Sequence, residues 1–303
     1  MDKNLRPSIL KRLIALFVDF IILGITGYVS GLLFEDFYVS LGRYGTLVGS
    51  TITIIYFSVL QSKLGGGQTL GKVVVGAKVT DLKGEYLTFG KSFLRSFILF
   101  FPIMNMEIFA VGNGMLVIMM LLMFTTFASL YFILVNRSRR CLHDILVSSI
   151  VINENVTEFE INDSNDRSLK KIIPLAVFAT IIIGISFYQF STEPSYNKLL
   201  DVKEQIENIE GVITVNEVKS SMKTYYNTDE PSTTYSSIKV TVRIDNKEEA
   251  LNSNSHYFNK FYKIIKTEIP ESQNMDGVSI TLFYGYNIAI ASKSRSVTRT
   301  FEN

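Results

Sequence analysis

The sequence predicts a membrane protein in two parts: an all-α helical bundle of about five transmembrane helices, then a small extracytoplasmic α+β domain in the order α-β-β-α-β. Three observations carry this. Mean hydropathy is positive, +0.24 over 303 residues. The apolar residues gather in long runs that end near residue 190. Beyond them the chain turns polar and switches between helical and strand periodicity.

The first run, Leu13 to Leu33, is about 21 residues with one charge, Asp19, and is long enough to cross a hydrocarbon core of about 30 Å as a helix. Tyr44 to Gln61 is uncharged and about 18 residues long, so it spans by the same arithmetic. Phe93 to Val111 carries Arg95, Pro102 and Glu107, and spans with a kink or is partly re-entrant. Gly114 to Val135 has no charge, and Ile172 to Phe190 is the last span. A signal peptide is the alternative for the first run, because Lys3, Arg6, Lys11 and Arg12 precede it. The length of the run, the acid within it and the missing small-residue cleavage site argue against that.

Basic residues gather at Lys3 to Arg12, Lys63 to Lys91, Arg137 to Arg140 and Arg167 to Lys171, which places those segments in the cytoplasm. The resulting layout is a transmembrane domain over 1–152, a cytoplasmic linker over 153–171, a last helix over 172–190 and an extracytoplasmic domain over 191–303. Asn-, Lys- and Ile-rich usage points to the cell membrane of a low-GC bacterium. A net charge of +2 gives no reason to expect a nucleic-acid partner. With Cys141 as the sole cysteine, no disulfide framework can form within the chain.

In the outer domain, Leu199, Leu200, Val202, Ile206 and Ile209 have near-helical spacing, and Gly211 is a natural stop. Val212 to Tyr226 and Tyr235 to Ile244 alternate as strands around the turn residues 227–231. Lys247 to Ile269 returns to helix, and Val278 to Ile290 is a third strand or strand pair. The expected product is two helices on one face of an antiparallel sheet. Its many Tyr and Phe residues fill a sheet-helix core, or alternatively form a stacking or peptide-edge surface. His256 is expected at the surface. Nothing in the chain combines a nucleophile with a base, so no enzyme activity, cofactor or metal is expected.

The stretch Gly65 to Val73 (GGGQTLGKV) resembles a phosphate-binding loop up to Lys72, then places Val73 where Mg²⁺ needs a hydroxyl. A transmembrane helix precedes it, and Val73 to Thr80 reads as a strand, with Tyr86 to Thr88 as its returning partner. Gly67, Gly71 and Gly76 therefore read as a tight fold at the membrane surface, with Lys72 facing lipid phosphates.

Arg12 and Asp19, the segment from Gly67 to Phe97, and Arg139 to Asp144 followed by Ser148 to Ile152 together resemble the RDD family of bacterial multi-pass membrane proteins. The resemblance runs from about Leu10 to Ile152 and maps the family's arginine and two aspartates onto Arg12, Asp19 and Asp144. It implies an integral membrane domain with solute or ion transport.

The charges are informative without the name. An acid inside a span costs about 2.5–3.5 kcal/mol on insertion scales, so Asp19 must face protein or water and should have a partner. Arg12 sits about 10 Å away along the helix axis, too far for a direct pair. It snorkels instead to the inner interface beside Arg95, His143 and Asp144, leaving Asp19 alone deeper in. Such a cluster is either a staple that orients the helices or a cation- or proton-binding site with Asp19 as carboxylate and Arg12 and Asp144 as gate, in which His143 relays a proton near neutral pH or, as the simpler alternative, hydrogen-bonds locally. Asn105 and Glu107 would serve a path from outside, or Glu107 is simply solvated in the outer loop.

The leading expectation is transport of a small solute or cation, coupled to protons or Na⁺. The alternative is a non-enzymatic accessory or regulatory protein whose outer domain binds an envelope partner, since 191–303 is the size of an independent domain. Expected partners are the lipid bilayer, that solute or envelope protein, and further copies of the chain, since five spans are few for a carrier.

Overall fold

The computed structural model describes residues 5–109, 140–156, 194–225 and 233–302, with 181 and 185 singly. The predicted spans at 114–135 and 172–190 and the linker beyond residue 156 therefore lie essentially outside the described residues. The described chain divides into two compact units. The first holds residues 5–32, 46–109, 140–156 and 288–291; the second holds 33–45, 194–225, 233–287 and 292–302.

In the first unit, α1 (Ile9–Leu33) is 25 residues long and, among the described residues, is the helix long and apolar enough to cross a membrane. The second predicted span forms α3 (Thr46–Leu60), at 15 residues about 22 Å long and shorter than a hydrocarbon core. The third forms α5 (Phe89–Met104), which runs through Pro102 and is 16 residues long. Leu23, Ile54, Phe57 and Phe100 join the three helices in one apolar cluster.

Between α3 and α5 lie a short helix α4 (Leu70–Val74) and a strand β1 (Ala77–Asp81). The sequence reading carried the strand back to Val73, but Thr69 caps a helix there by accepting from the Lys72 N–H. The partner strand also differs from the expected 86–88. β1 pairs antiparallel with β2 (Ser149–Asn153), Ala77 opposite Asn153 and Asp81 opposite Ser149. Leu87 instead makes a single bridge to Ser62 and packs under Ala77, Val79 and Val151. A long-range partner won because β2 brings a buried run, Ile150 to Ile152, where 86–88 offers one apolar face residue. After α6 (Met106–Phe109) the described chain resumes before α7 (Leu142–Leu146).

The second unit is the expected α+β domain with three corrections. Its sheet runs β3-β4-β5-β6 (Val212–Tyr225, Thr233–Ile244, Gly277–Asn287, Ser292–Glu302), and β4 and β5 are parallel. The sheet is therefore mixed, because the helical connection between β4 and β5 returns the chain in the same direction. The fourth strand escaped detection because it is an edge strand rich in Ser, Thr, Lys and Arg with no buried residue, and Val297 and Phe301 alone give no apolar alternation to read. The predicted helix 247–269 is two helices, α9 (Lys247–Leu251) and α10 (His256–Glu268), split by an Asn252 turn whose side chain accepts from the Asn254 N–H.

The core follows the strand period: Ile238, Val240, Val242 and Ile244 of β4 and Val278, Ile280 and Leu282 of β5 are buried. Val202 and Ile206 of α8 (Pro194–Glu207) are buried with them, as are Phe258, Phe261 and Ile265 of α10. Most of the aromatic residues thus serve packing, and His256 lies at the surface as expected. The short helix α2 (Glu35–Ser40) belongs to this unit: Tyr284 donates to Asp36 at 2.7 Å, and the Tyr38 and Tyr286 rings lie 5.6 Å apart.

Phe258→Ala removes a fully buried ring and should lower the stability of this unit by about 3–5 kcal/mol, read as an earlier denaturant transition of the full chain.

Candidate functional site

Asp19 points from α1 into the first unit and is 0% exposed. It is not alone. Its Oδ1 accepts from the Tyr56 hydroxyl of α3 at 2.8 Å and from the Gly71 N–H at 2.7 Å. Its Oδ2 accepts from the Thr69 hydroxyl at 2.6 Å. These three donors replace the hydrogen bonds that burial takes from water.

Two of those donors come from the stretch that mimics a phosphate loop. Thr69 and Gly71 stand at the start of α4, so a carboxylate from the neighbouring helix occupies the place an anion would take. Gly71 has to be glycine, because a Cβ there would overlap the Ala15 carbonyl of α1. Gly67 takes a left-handed φ of 73°, and its carbonyl accepts from Val79 at 2.8 Å, which ties the loop to β1. Gly76, at φ 64°, turns the chain from α4 into β1. Lys72 does not face outward as expected: its ammonium lies 5.7 Å from the centre of the Phe57 ring, a cation–π contact on α3.

A second carboxylate closes the cluster. Asp144 Oδ1 accepts from Arg95 Nε at 2.8 Å and from the Ser149 hydroxyl at 2.9 Å, and its Oδ2 accepts from the Cys141 N–H at 3.2 Å. Arg95 also donates to Gln61 Oε1 at the end of α3. Arg140 donates to the Ser149 carbonyl at 3.0 Å and the Asp144 carbonyl at 3.3 Å. Arg12 reaches the Val151 carbonyl on β2 at 3.2 Å. The polar side chains therefore stitch α1, α3, α4, α5, α7 and the small sheet into one body.

Burial opposes ionisation of Asp144, but the Arg95 charge, then His143 and Arg12, outweigh it and hold the carboxyl well below its usual range. Burial pushes His143 down to about 4, with Asp144 resisting and Arg95 adding to the fall. At neutral pH its imidazole is uncharged, so its 3.7 Å approach to Asp144 is no ion pair and the expected relay near neutrality does not apply. Cys141, His143 and Asp144 place ligand atoms within 4.8 Å of one another and are a set that could hold a metal. The fit is poor: Asp144 is committed to Arg95, and burial raises the Cys141 thiol to about 12.

Of the residues singled out from sequence, Arg95, His143 and Asp144 come together as predicted, and Arg12 reaches the Val151 carbonyl beside them. Asp19 has the protein partners its position demanded, although they are neutral donors and no member of the charged cluster. Tyr56, Gln61, Thr69, Arg140 and Ser149 went unrecognised as members; Tyr56 and Gln61, polar tips at the end of an apolar run, were the available signal. Asn105 is buried, accepts from Ser50 at 3.3 Å and donates to the Phe101 carbonyl at 2.8 Å, so it ties α5 to α3.

A long apolar helix clasped through buried charge to a juxtamembrane loop, a short sheet and two further helices defines a membrane-associated helical domain. The RDD family model matches residues 6–148, and that stretch is an RDD-family domain. No curated protein and no solved structure matches the chain.

Asp19→Asn keeps the shape but sets an amide against three donors, and should lower the melting stability of the full chain in detergent by about 2–4 kcal/mol. His143 binds protons more readily unfolded, at 6.5, than folded, at about 4, so its contribution is complete above pH 6.5 and drains away as pH falls toward 4, by on the order of 3 kcal/mol. His143→Gln should flatten the melting temperature across that window.

Proposed function

We propose that the protein is a non-enzymatic accessory or regulatory protein of the bacterial cell membrane, in which the RDD domain is a rigid mount and the α+β domain binds an envelope partner. One observation carries this. Each oxygen of Asp19 and of Asp144 already accepts from the protein, which leaves neither carboxylate free to take up and release a cation. The cluster has the character of a staple.

The reading is multi-pass, with a cytoplasmic N-terminus and the α+β domain outside. The basic loops support it, and so does α2: the short connection after α1 packs within the α+β unit, as two segments on the same side of a membrane can. Coupled transport of a small solute or cation is the second reading. It is favoured by Thr53, whose buried hydroxyl has no hydrogen-bond partner among the described residues and stands one turn along α3 from the Ser50–Asn105 pair.

Proteoliposomes of the full chain should show no H⁺ or Na⁺ flux above empty vesicles, and a flux abolished by Asp19→Asn would overturn the proposal in favour of transport. In whole cells, single cysteines at Asp36 and Ser253 should both react with an impermeant maleimide, and one at Lys83 should not. Labelling of the first two on opposite sides would sink the topology.

A further inference from the structure

The loop that sequence assigns to the cytoplasm carries an apolar stripe. Leu70, Val73 and Val74 of α4 are 51%, 54% and 68% exposed. Their spacing i, i+3, i+4 puts them on one side of the helix, with Lys72 on the far side and Gly71 buried against α1. A soluble loop has no reason to display three branched apolar side chains together.

Depth identifies the occupant of that face. The Asp19 clasp and the Gly71 contact with Ala15 pin the start of α4 beside residues 15–19 of α1. The apolar exposed residues of α1 begin earlier, at Leu10 and Leu13, and continue through Phe17 and Ile21. At a rise of about 1.5 Å per residue, α4 is anchored about 8–14 Å further along α1 than Leu10. Since α1 is the membrane helix of the described chain, the level of α4 is already that of acyl chains. Its polar partners point the other way: Lys72 turns in toward Phe57, and Thr69 toward Asp19.

We propose that α4 is a re-entrant lipid-contacting foot, with Leu70, Val73 and Val74 seated among the acyl chains of the leaflet that the N-terminal end of α1 enters. The buried Asp19 then has a specific task. Without water, the first N–H groups of α4 need an acceptor, and a carboxylate from α1 supplies one, as backbone at membrane depth requires. This inference rests on the membrane association of the RDD domain and is independent of what the α+β domain binds.

The chain contains no tryptophan, so one introduced indole reports its own surroundings. Val74→Trp and, as a water-facing control, Lys83→Trp are to be made in the full chain and reconstituted in phosphatidylcholine vesicles. The expected result is strong quenching of Val74→Trp by lipids brominated near the carbonyl end of the acyl chain, with acrylamide quenching severalfold weaker than for Lys83→Trp. Equal acrylamide quenching at the two positions would place α4 in water and overturn the proposal. Protection of Val74→Trp from both quenchers would overturn it as well, since a protein surface would then cover the stripe.

Discussion

The RDD domain depends on one carboxylate that gives up water without giving up its hydrogen bonds. Asp19 sits on the long apolar helix of the described chain, where a buried polar group without partners is costly. Three donors, each from a different residue and two from the start of α4, replace the lost water. Because those donors lie about 37 to 52 residues away along the chain, satisfying one side chain fixes the path of the whole loop after α3. The tight turns at Gly67 and Gly76 and the bare backbone at Gly71 are consequences of that closure rather than independent features.

The second carboxylate performs a parallel task further along the chain. Asp144 gathers Arg95, Ser149 and the Cys141 N–H, so that α5, α7 and β2 meet at one point. Breaking a buried pair of this kind leaves the remaining charge stranded, which is why such networks hold a single arrangement even where their net contribution to stability is modest. A cluster so fully satisfied is poorly suited to releasing a cation and well suited to holding helices in register. That is the physical ground for the scaffold role proposed above, with partner binding assigned to the α+β domain as part of the same proposal.

The loop between α3 and α5 shows how a motif can mislead in a useful direction. Its glycines, threonine and lysine match a phosphate loop because both structures solve one problem, presenting N–H groups at the start of a helix to an anion. Here the anion belongs to the protein. The resemblance in residues was real; the ligand differed because α1 passes within reach of the helix start, which no local pattern encodes.

Sequence alone determined the features that depend on period and polarity: the long apolar helix, the strands β3 to β5, the family resemblance, and the meeting of Arg95, His143 and Asp144 at one level. Apolar periodicity is local, and charge in an apolar run must be resolved somewhere, so both are legible without coordinates. Tertiary structure alone decided the rest. It paired β1 with β2 across about 70 residues, made β4 and β5 parallel, added the polar edge strand β6, and gave Asp19 its partners. Each of those choices sets one distant segment against another, and the donor that satisfies a buried acceptor is selected by proximity in space, which the order of residues does not specify.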